Sequence, residues 1–272
     1  NIKKQMLLAT AALSVFGLAG CANKVVPQSS ETTVVSETKE GNQSKSLEKA
    51  IDAVAFSYVK SQLANDNPKA APGAQIVVLM DGKMVFQKSY GVIQAFDFSK
   101  NPAEKIEKPS PVTNETLFDL ASVTKISATT QVFMHLVYEG KVKLDDKVTQ
   151  YLPEFGKNGK EDVTIGQLLS HTSGLPQWKA IYLYSNNRQD TLKYIEDQKL
   201  EFKPGEYKYS DLGFMTLAFV AEKITGEAFD KYVAKTIYEP LGLKNIMFNP
   251  LKNGVDKSQI AVTSYGNPFE KM

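Results

Sequence analysis

"DLASVTKISATTQVFMHLVYEG", residues 119–140, sets Ser122 three residues ahead of Lys125 and follows them with an apolar run that Gly140 ends. Three residues is close to one helical turn, so a serine and a lysine at this spacing can share a helix face. Spacing alone does not assign chemistry, because Ser36/Lys39, Ser46/Lys49 and Ser57/Lys60 repeat it. Context separates the four pairs. Leu47, Ile51, Val54, Ala55, Tyr58 and Val59 recur at helical spacing, with Ser46 placed as an N-cap and Ser57 and Lys60 on the polar side. Ser36/Lys39 lies in a stretch rich in Ser, Thr, Glu, Lys and Val that reads as a flexible tether over 21–45. Those three pairs are thus explained without chemistry.

Downstream of that first helix, "GAQIVVLMDGKMVFQKSYG" places β-rich runs 74–80 and 83–90 around Asp81-Gly82, a strong signal for a two-residue hairpin turn. Residues 94–115 carry Pro and Asn punctuation and read as a loop, and 116–120 as a short extended piece. After Gly140 the pattern is mainly helical. Thr164 is set to cap a short apolar helix that leaves through Gly174-Leu175-Pro176. Further helices are expected over 190–199, 212–224 and 228–238, with "FKPGEYKYSD" as a loop.

Global properties of the sequence set bounds on function. The 272 residues suit one large domain or two small ones. Lys+Arg is 32 against 30 for Asp+Glu; without Lys3 and Lys4, in the leader described next, 32 − 2 leaves 30 against 30. Such a balance gives no electrostatic footprint for nucleic acid. One cysteine excludes an internal disulfide, and His135 and His171 are too far apart to seed a metal site, so neither metal nor cofactor is implied. Lys3-Lys4, an apolar stretch from Met6 to Leu18, and then Leu18-Ala19-Gly20-Cys21 follow the order of an export signal. With the sole cysteine directly after the small residues, 1–20 resembles a bacterial lipoprotein signal, cut before a lipid-modified Cys21. The plainer alternative is an ordinary signal peptide with an incidental cysteine. The expected location is the outer face of a bacterial membrane, periplasmic and on the outer membrane if the cell is Gram-negative, with the lipid as the membrane partner.

Taken together, Ser122-Val-Thr-Lys125, "YEGKVKLDDKVTQYLPEF", "LLSHTSGLP", "FKPGEYKYSD" and "YEPLGL", in that order, resemble the serine β-lactamase and penicillin-binding protein superfamily in its class C-like branch. "LVYEGK", "IYEPLGLK" and "FNPL" are most similar to the lipoprotein type called penicillin-binding protein 4B. The resemblance covers about 46–250 and implies an α/β (α+β) fold. Its architecture would be an antiparallel sheet flanked by helices, plus an all-helical lobe, with a cleft between them. Within 46–272, residues 46–121 should begin the sheet lobe and 122–240 should form mostly the helical lobe. The family's third motif, Lys-Thr-Gly or His-x-Gly on a late strand, has no counterpart after residue 240. The sheet is therefore expected to be incomplete, the sequence truncated at its C-terminal end, and its own activity small.

The implied chemistry is acyl transfer by Ser122. A serine hydroxyl is a poor nucleophile until a base takes its proton. Lys125 can do so only when neutral, which requires burial or a nearby positive group to lower its pKa, and which group serves as base in such sites is disputed. Tyr209 and Asp211 of "YSD" stand at the family's Tyr-x-Asn motif. Tyr209 can relay a proton to the leaving group. Asp211 departs from the motif, cannot donate as an amide does, and can hold Lys125 charged, leaving Tyr209 the better base. A second alignment takes Ser210-Asp211-Leu212 as a degraded Ser-Asp-Asn, and the bland alternative for Tyr209 is a half-buried packing residue. His171 suggests a Ser-His-Asp triad, yet no Gly-x-Ser-x-Gly elbow exists, so packing beneath the site is the preferred reading. His135 is expected to be exposed, Ser173 and Gly174 to make a turn, and Trp178 either to line the cleft or to pack. The resemblance implies as substrates the D-alanyl-D-alanine stem peptide of peptidoglycan, a β-lactam or a small ester, with a slight preference for a cell-wall carboxypeptidase. The rival class is a non-catalytic lipid-anchored surface protein.

Overall fold

A computed structural model describes residues 41–64, 72–100 and 102–263 of the protein. The export signal, Cys21 and the Ser36/Lys39 pair lie outside the described residues. The polypeptide divides into two compact units, residues 1–119 with 249–272 and residues 120–248.

In the first unit, helix α1 (Gly41–Ala64) precedes strands β1 (Gly73–Met80) and β2 (Lys83–Gly91). The helix starts at Gly41, so the expected tether to residue 45 is too long and Ser46 is an interior residue rather than the N-cap. Val54, placed on the apolar face by spacing, is 73% exposed, whereas Ala55 beside it is buried. The strands pair antiparallel with Met80 opposite Lys83, leaving Asp81-Gly82 as the turn. Both turn residues have positive φ, 52° and 75°, one of the two turn geometries that match strand twist across a two-residue loop. Phe86, Tyr90 and Ala55 form a small core against Ile51, Ala74, Ile76 and Val78. Asp52 ties helix to hairpin, accepting from Lys88 Nζ at 2.9 Å and from the Tyr90 hydroxyl at 2.9 Å. Burial and that carboxylate together push the Tyr90 phenol well above its ordinary value. The segment read as a loop also contains a two-residue ladder, β3 (Phe96–Asp97) with β4 (Glu104–Lys105). Leu117 makes one parallel bridge to Ile260, so the extended piece at 116–120 is real but pairs at a single residue.

The second unit is helical. Val123 and Thr124 open a helical segment that continues as a π-helical stretch, Lys125–Thr130, and then as helix α2 (Gln131–Tyr138). Short 3-10 turns follow at Val148–Gln150 and Pro153–Gly159. Helices α3 (Ile165–Leu169), α4 (Arg188–Glu196), α5 (Asp211–Thr225) and α6 (Phe229–Val233) follow, and a second π-helical stretch, Ala234–Tyr238, continues α6. Thr164 caps α3 through a reciprocal capping box with Gln167. Gly226, at φ 70°, ends α5. Phe133, Leu136, Phe155, Leu168, Leu212 and Leu217 are fully buried in one core, each contributing roughly 1.5–3 kcal/mol.

Lys160 is buried in this unit at 0% exposure. Its ammonium donates to the carbonyls of Lys157 at 2.7 Å and Glu196 at 2.9 Å, and to that of Gln198. Burial pulls its pKa below the ordinary lysine value. The Glu196 and Gln198 carbonyls lie at and just past the end of α4, so the Lys160 ammonium caps a helix terminus. Lys160→Met leaves three carbonyls without their donor. A loss of about 3 kcal/mol or more is expected in urea unfolding; an unchanged midpoint would show that water replaces the ammonium.

Candidate active site

Ser122, Lys125, Tyr209 and Asp211 all belong to the second unit, and the fold brings them together. Ser122 occupies the turn just before the first helical residue, Val123. Ala121 precedes it at φ 44°, left-handed backbone that an alanine adopts at a cost of about 1–3 kcal/mol. Lys125 then opens the π-helical stretch. The carbonyls of that stretch are held by side groups from the following turn: Thr130 Oγ1 donates to Lys125 O at 2.8 Å and Gln131 Nε2 to Ile126 O at 3.2 Å.

The other wall is made of two loops. Ser210 is the N-cap of α5, its hydroxyl accepting the Gly213 N–H at 3.1 Å and donating to Pro176 O at 2.7 Å. The Asp211 N–H donates to Gln177 O at 2.8 Å, and the Ser210 N–H to His171 Nδ1 at 3.0 Å. Gly174, at φ 82°, lets the first loop turn; a Cβ there would collide with the Phe202 carbonyl oxygen. Residues 207–211 are thus fastened to residues 171–177, which fixes where Tyr209 and Asp211 stand.

Lys125 Nζ lies 3.1 Å from Ser122 Oγ and 2.6 Å from Asp211 Oδ1. It also sits over the Tyr209 ring, 4.9 Å from the centroid, and 5.8 Å from that of Phe214. Asp211 Oδ1 is shielded from solvent and accepts no well-directed hydrogen bond, so the contact with the ammonium is held by charge more than by direction. The lowering of the Lys125 pKa that a lysine base requires is not what the site delivers. Burial does pull the ammonium down, but the close contacts with Asp211 and Tyr209 and the Asp211 charge outweigh it, and the net shift is upward. In the resting site Lys125 is therefore a cation that donates to the serine.

His171 is a packing residue here. Its ring lies 4.3 Å from Tyr209 and 4.9 Å from Phe214, centroid to centroid, with Tyr207 edge-on at 6.1 Å. Burial, and then the Lys125 charge, hold the imidazole below its ordinary pKa. With Nδ1 accepting, the proton of the neutral ring sits on Nε2. Ser173 is 1% exposed and accepts the Leu175 N–H in the turn. Trp178 is 44% exposed. His135, expected on the solvent face, is instead half-buried and 3.2 Å from Glu139, with Tyr232 beside it. The carbonyls of Pro176 and Gln177, the strained Ala121 and the π-stretch partners Thr130 and Gln131 gave no signal in the sequence. Among the described residues no group of His, Cys, Asp and Glu is arranged to hold a metal ion.

Comparison with known proteins adds the following. A family profile described as Beta-lactamase matches residues 59–270. An Escherichia coli (strain K12) protein that carries the name D-alanyl-D-alanine carboxypeptidase is 37% identical over 206 residues, covering 71% of this chain and 46% of its own length. The chain thus spans about half the length of the curated relatives it matches. Among solved structures, the octameric penicillin-binding protein homologue from Pyrococcus abyssi superposes with a TM-score of 0.59 at 26% identity, over 82% of this chain and 47% of that one. The D-alanine carboxypeptidase AmpC from Burkholderia cenocepacia superposes with a TM-score of 0.60 at 22% identity, over 81% and 54%, which shows the shared fold. The family profile extends over most of the sequence and takes in the whole Ser122–Lys125–Tyr209–Asp211 cluster, and on that match the chain belongs to the beta-lactamase family.

Proposed function

We propose that this protein holds the nucleophilic centre of a serine acyl-transfer hydrolase, and that the enzyme is a D-alanyl-D-alanine carboxypeptidase acting on peptidoglycan stem peptides. The observation that carries the reading is Lys125 Nζ at 3.1 Å from the exposed Ser122 Oγ with a tyrosine ring and a carboxylate closing the other side. Ser122 attacks the penultimate carbonyl carbon. The new Oγ–C bond forms as the C–N bond to the terminal D-alanine breaks, and the serine's proton ends on the departing amine. Water then cleaves the acyl-enzyme. Tyr209, beside Lys125, is placed to pass the proton to the leaving group.

The test is release of free D-alanine from a diacyl-L-lysyl-D-alanyl-D-alanine peptide by the intact gene product, alongside a penicillin that should leave a lasting adduct. Penicillin turnover with no D-alanine release would support a β-lactamase instead; hydrolysis of short-chain esters alone would support an esterase. Absence of all three would favour the non-catalytic surface-protein reading.

The same reading includes export and a lipid on Cys21, supported by the order of charged, apolar and small residues before the sole cysteine. Mass spectrometry of the membrane fraction should find a diacylglycerol-modified Cys21 at the mature N-terminus. An unmodified Cys21 in a soluble exported product rules this out.

A further inference from the structure

We infer that Asp211 is a positioning residue that keeps the Ser122–Lys125 pair loaded with a proton, so that acyl transfer at Ser122 turns on only as the medium becomes alkaline. The inference rests on the acyl-transfer reading above and adds a proton gate to it. To receive the serine's proton, Lys125 Nζ must offer a lone pair. In the structure its hydrogens point instead to Ser122 Oγ at 3.1 Å and into the Asp211 contact at 2.6 Å. Asp211 Oδ1 is buried and has the Lys125 ion pair but no directed hydrogen bond, so discharging Lys125 would strand a shielded carboxylate oxygen. Asp211 is the first residue of α5, and its backbone N–H is tied to Gln177 O at 2.8 Å, which holds the carboxylate in place beside the ammonium.

The other groups facing Lys125 do not offset the carboxylate. From the loops come the Tyr209 ring, whose centroid is 4.9 Å from the ammonium, and His171, whose imidazole is held below its ordinary pKa by burial and by Lys125 itself. From α5 comes the Phe214 ring, 5.8 Å away. From the turn before the π-helical stretch comes Ser122. No second cation is among these neighbours, and Asp211 is their one carboxylate. Before acylation, Lys125 gives one proton to solvent base. Neutral Nζ then takes the proton of Ser122 as Oγ bonds to the acyl carbon, and that proton leaves with the amine or alcohol as its bond to carbon breaks. Below the ammonium's pKa the rate follows the neutral fraction, about tenfold per pH unit.

The test compares wild type, Asp211→Asn and Asp211→Glu in the intact gene product. Two readouts are taken between about pH 6 and 10, a window reaching the ordinary lysine range. One is the titration of Lys125 by competitive acetylation with acetic anhydride, read by mass spectrometry; the other is the rate of Ser122 labelling by a fluorescent penicillin. In Asp211→Asn, Lys125 should titrate at lower pH and Ser122 should label on the order of tenfold faster at pH 7. Asp211→Glu, which keeps a carboxylate, should retain the alkaline limb. A Lys125 titration that shifts while the labelling limb stays in place overturns the gate, as does a titration that does not shift at all. Should Asp211→Asn fail to fold, wild type alone decides: a labelling rate flat across the range, or a Lys125 already neutral at pH 7, overturns the inference. No Ser122 adduct at any pH, with Lys125 still responsive to Asp211→Asn, would instead bring down the acyl-transfer reading together with the gate built on it.

Discussion

Ser122→Ala is expected to abolish the covalent adduct between the intact gene product and a fluorescent penicillin or a reactive ester, with no residual label above background. Removing Oγ removes the atom that bonds to carbon, and the site has no substitute. Ser210, between Tyr209 and Asp211, is 1% exposed with its hydroxyl bonded to Pro176 O and the Gly213 N–H, and Ser173 is 1% exposed and engaged in its own turn. Ser46 and Ser57, which share the Ser-x-x-Lys spacing, are positions on α1 in the other unit. Peptide mapping of the labelled protein checks the assignment: a label that survives Ser122→Ala, or that maps to Ser173, defeats it. Thermal unfolding should be almost unchanged, because an exposed hydroxyl that accepts one hydrogen bond from Lys125 contributes little to stability.

The second large effect is expected at Lys125. Lys125→Ala should slow labelling of Ser122 by about 10²–10⁴-fold, the usual range for loss of a group that moves a proton in the transition state. It also removes the ammonium that neutralises Asp211, leaving a buried carboxylate oxygen uncompensated. Stability should therefore fall as well, and the double variant Lys125→Ala/Asp211→Asn should recover stability without recovering the rate. That split separates the two roles of the lysine in one double-mutant cycle. Labelling by Lys125→Ala within about threefold of wild type would show that the proton leaves Ser122 by another route.

Much of this protein is legible in its residues. Asp81-Gly82 between two β-rich runs specifies the hairpin, because a turn with positive φ at both residues matches the twist of the strands it joins, and Asp and Gly reach that backbone region more readily than most residues. Thr164 as a cap and the apolar run over 212–224 locate α3 and α5, through a hydrogen-bonding demand at a helix terminus in the first case and apolar content in the second. Ser122, Lys125, Tyr209 and Asp211 could be picked out as well, since their motifs stand in a recurring order along the sequence.

What the sequence could not supply depends on contacts between residues far apart in it. The start of α1 at Gly41 and the exposure of Val54 miss the periodicity argument, since periodicity names a face but not its partner. His135 looked free on its own helix, yet Tyr232, nearly a hundred positions on, packs against it. A lone lysine in a mixed-charge stretch gives no hint that Lys160 is buried under three carbonyls, two of them from residues 196 and 198. The protonation of Lys125 is the decisive case. Residue types allowed either a neutral base or a paired cation, because burial and an opposite charge move a lysine in opposite directions. The Ser210 cap and the bonds from residues 210 and 211 to residues 171, 176 and 177 bring Asp211 to 2.6 Å from the ammonium, and at that distance the charge outweighs the burial. The sequence by itself determined which groups meet; the tertiary structure alone decided their separation, and with it which of them holds the proton.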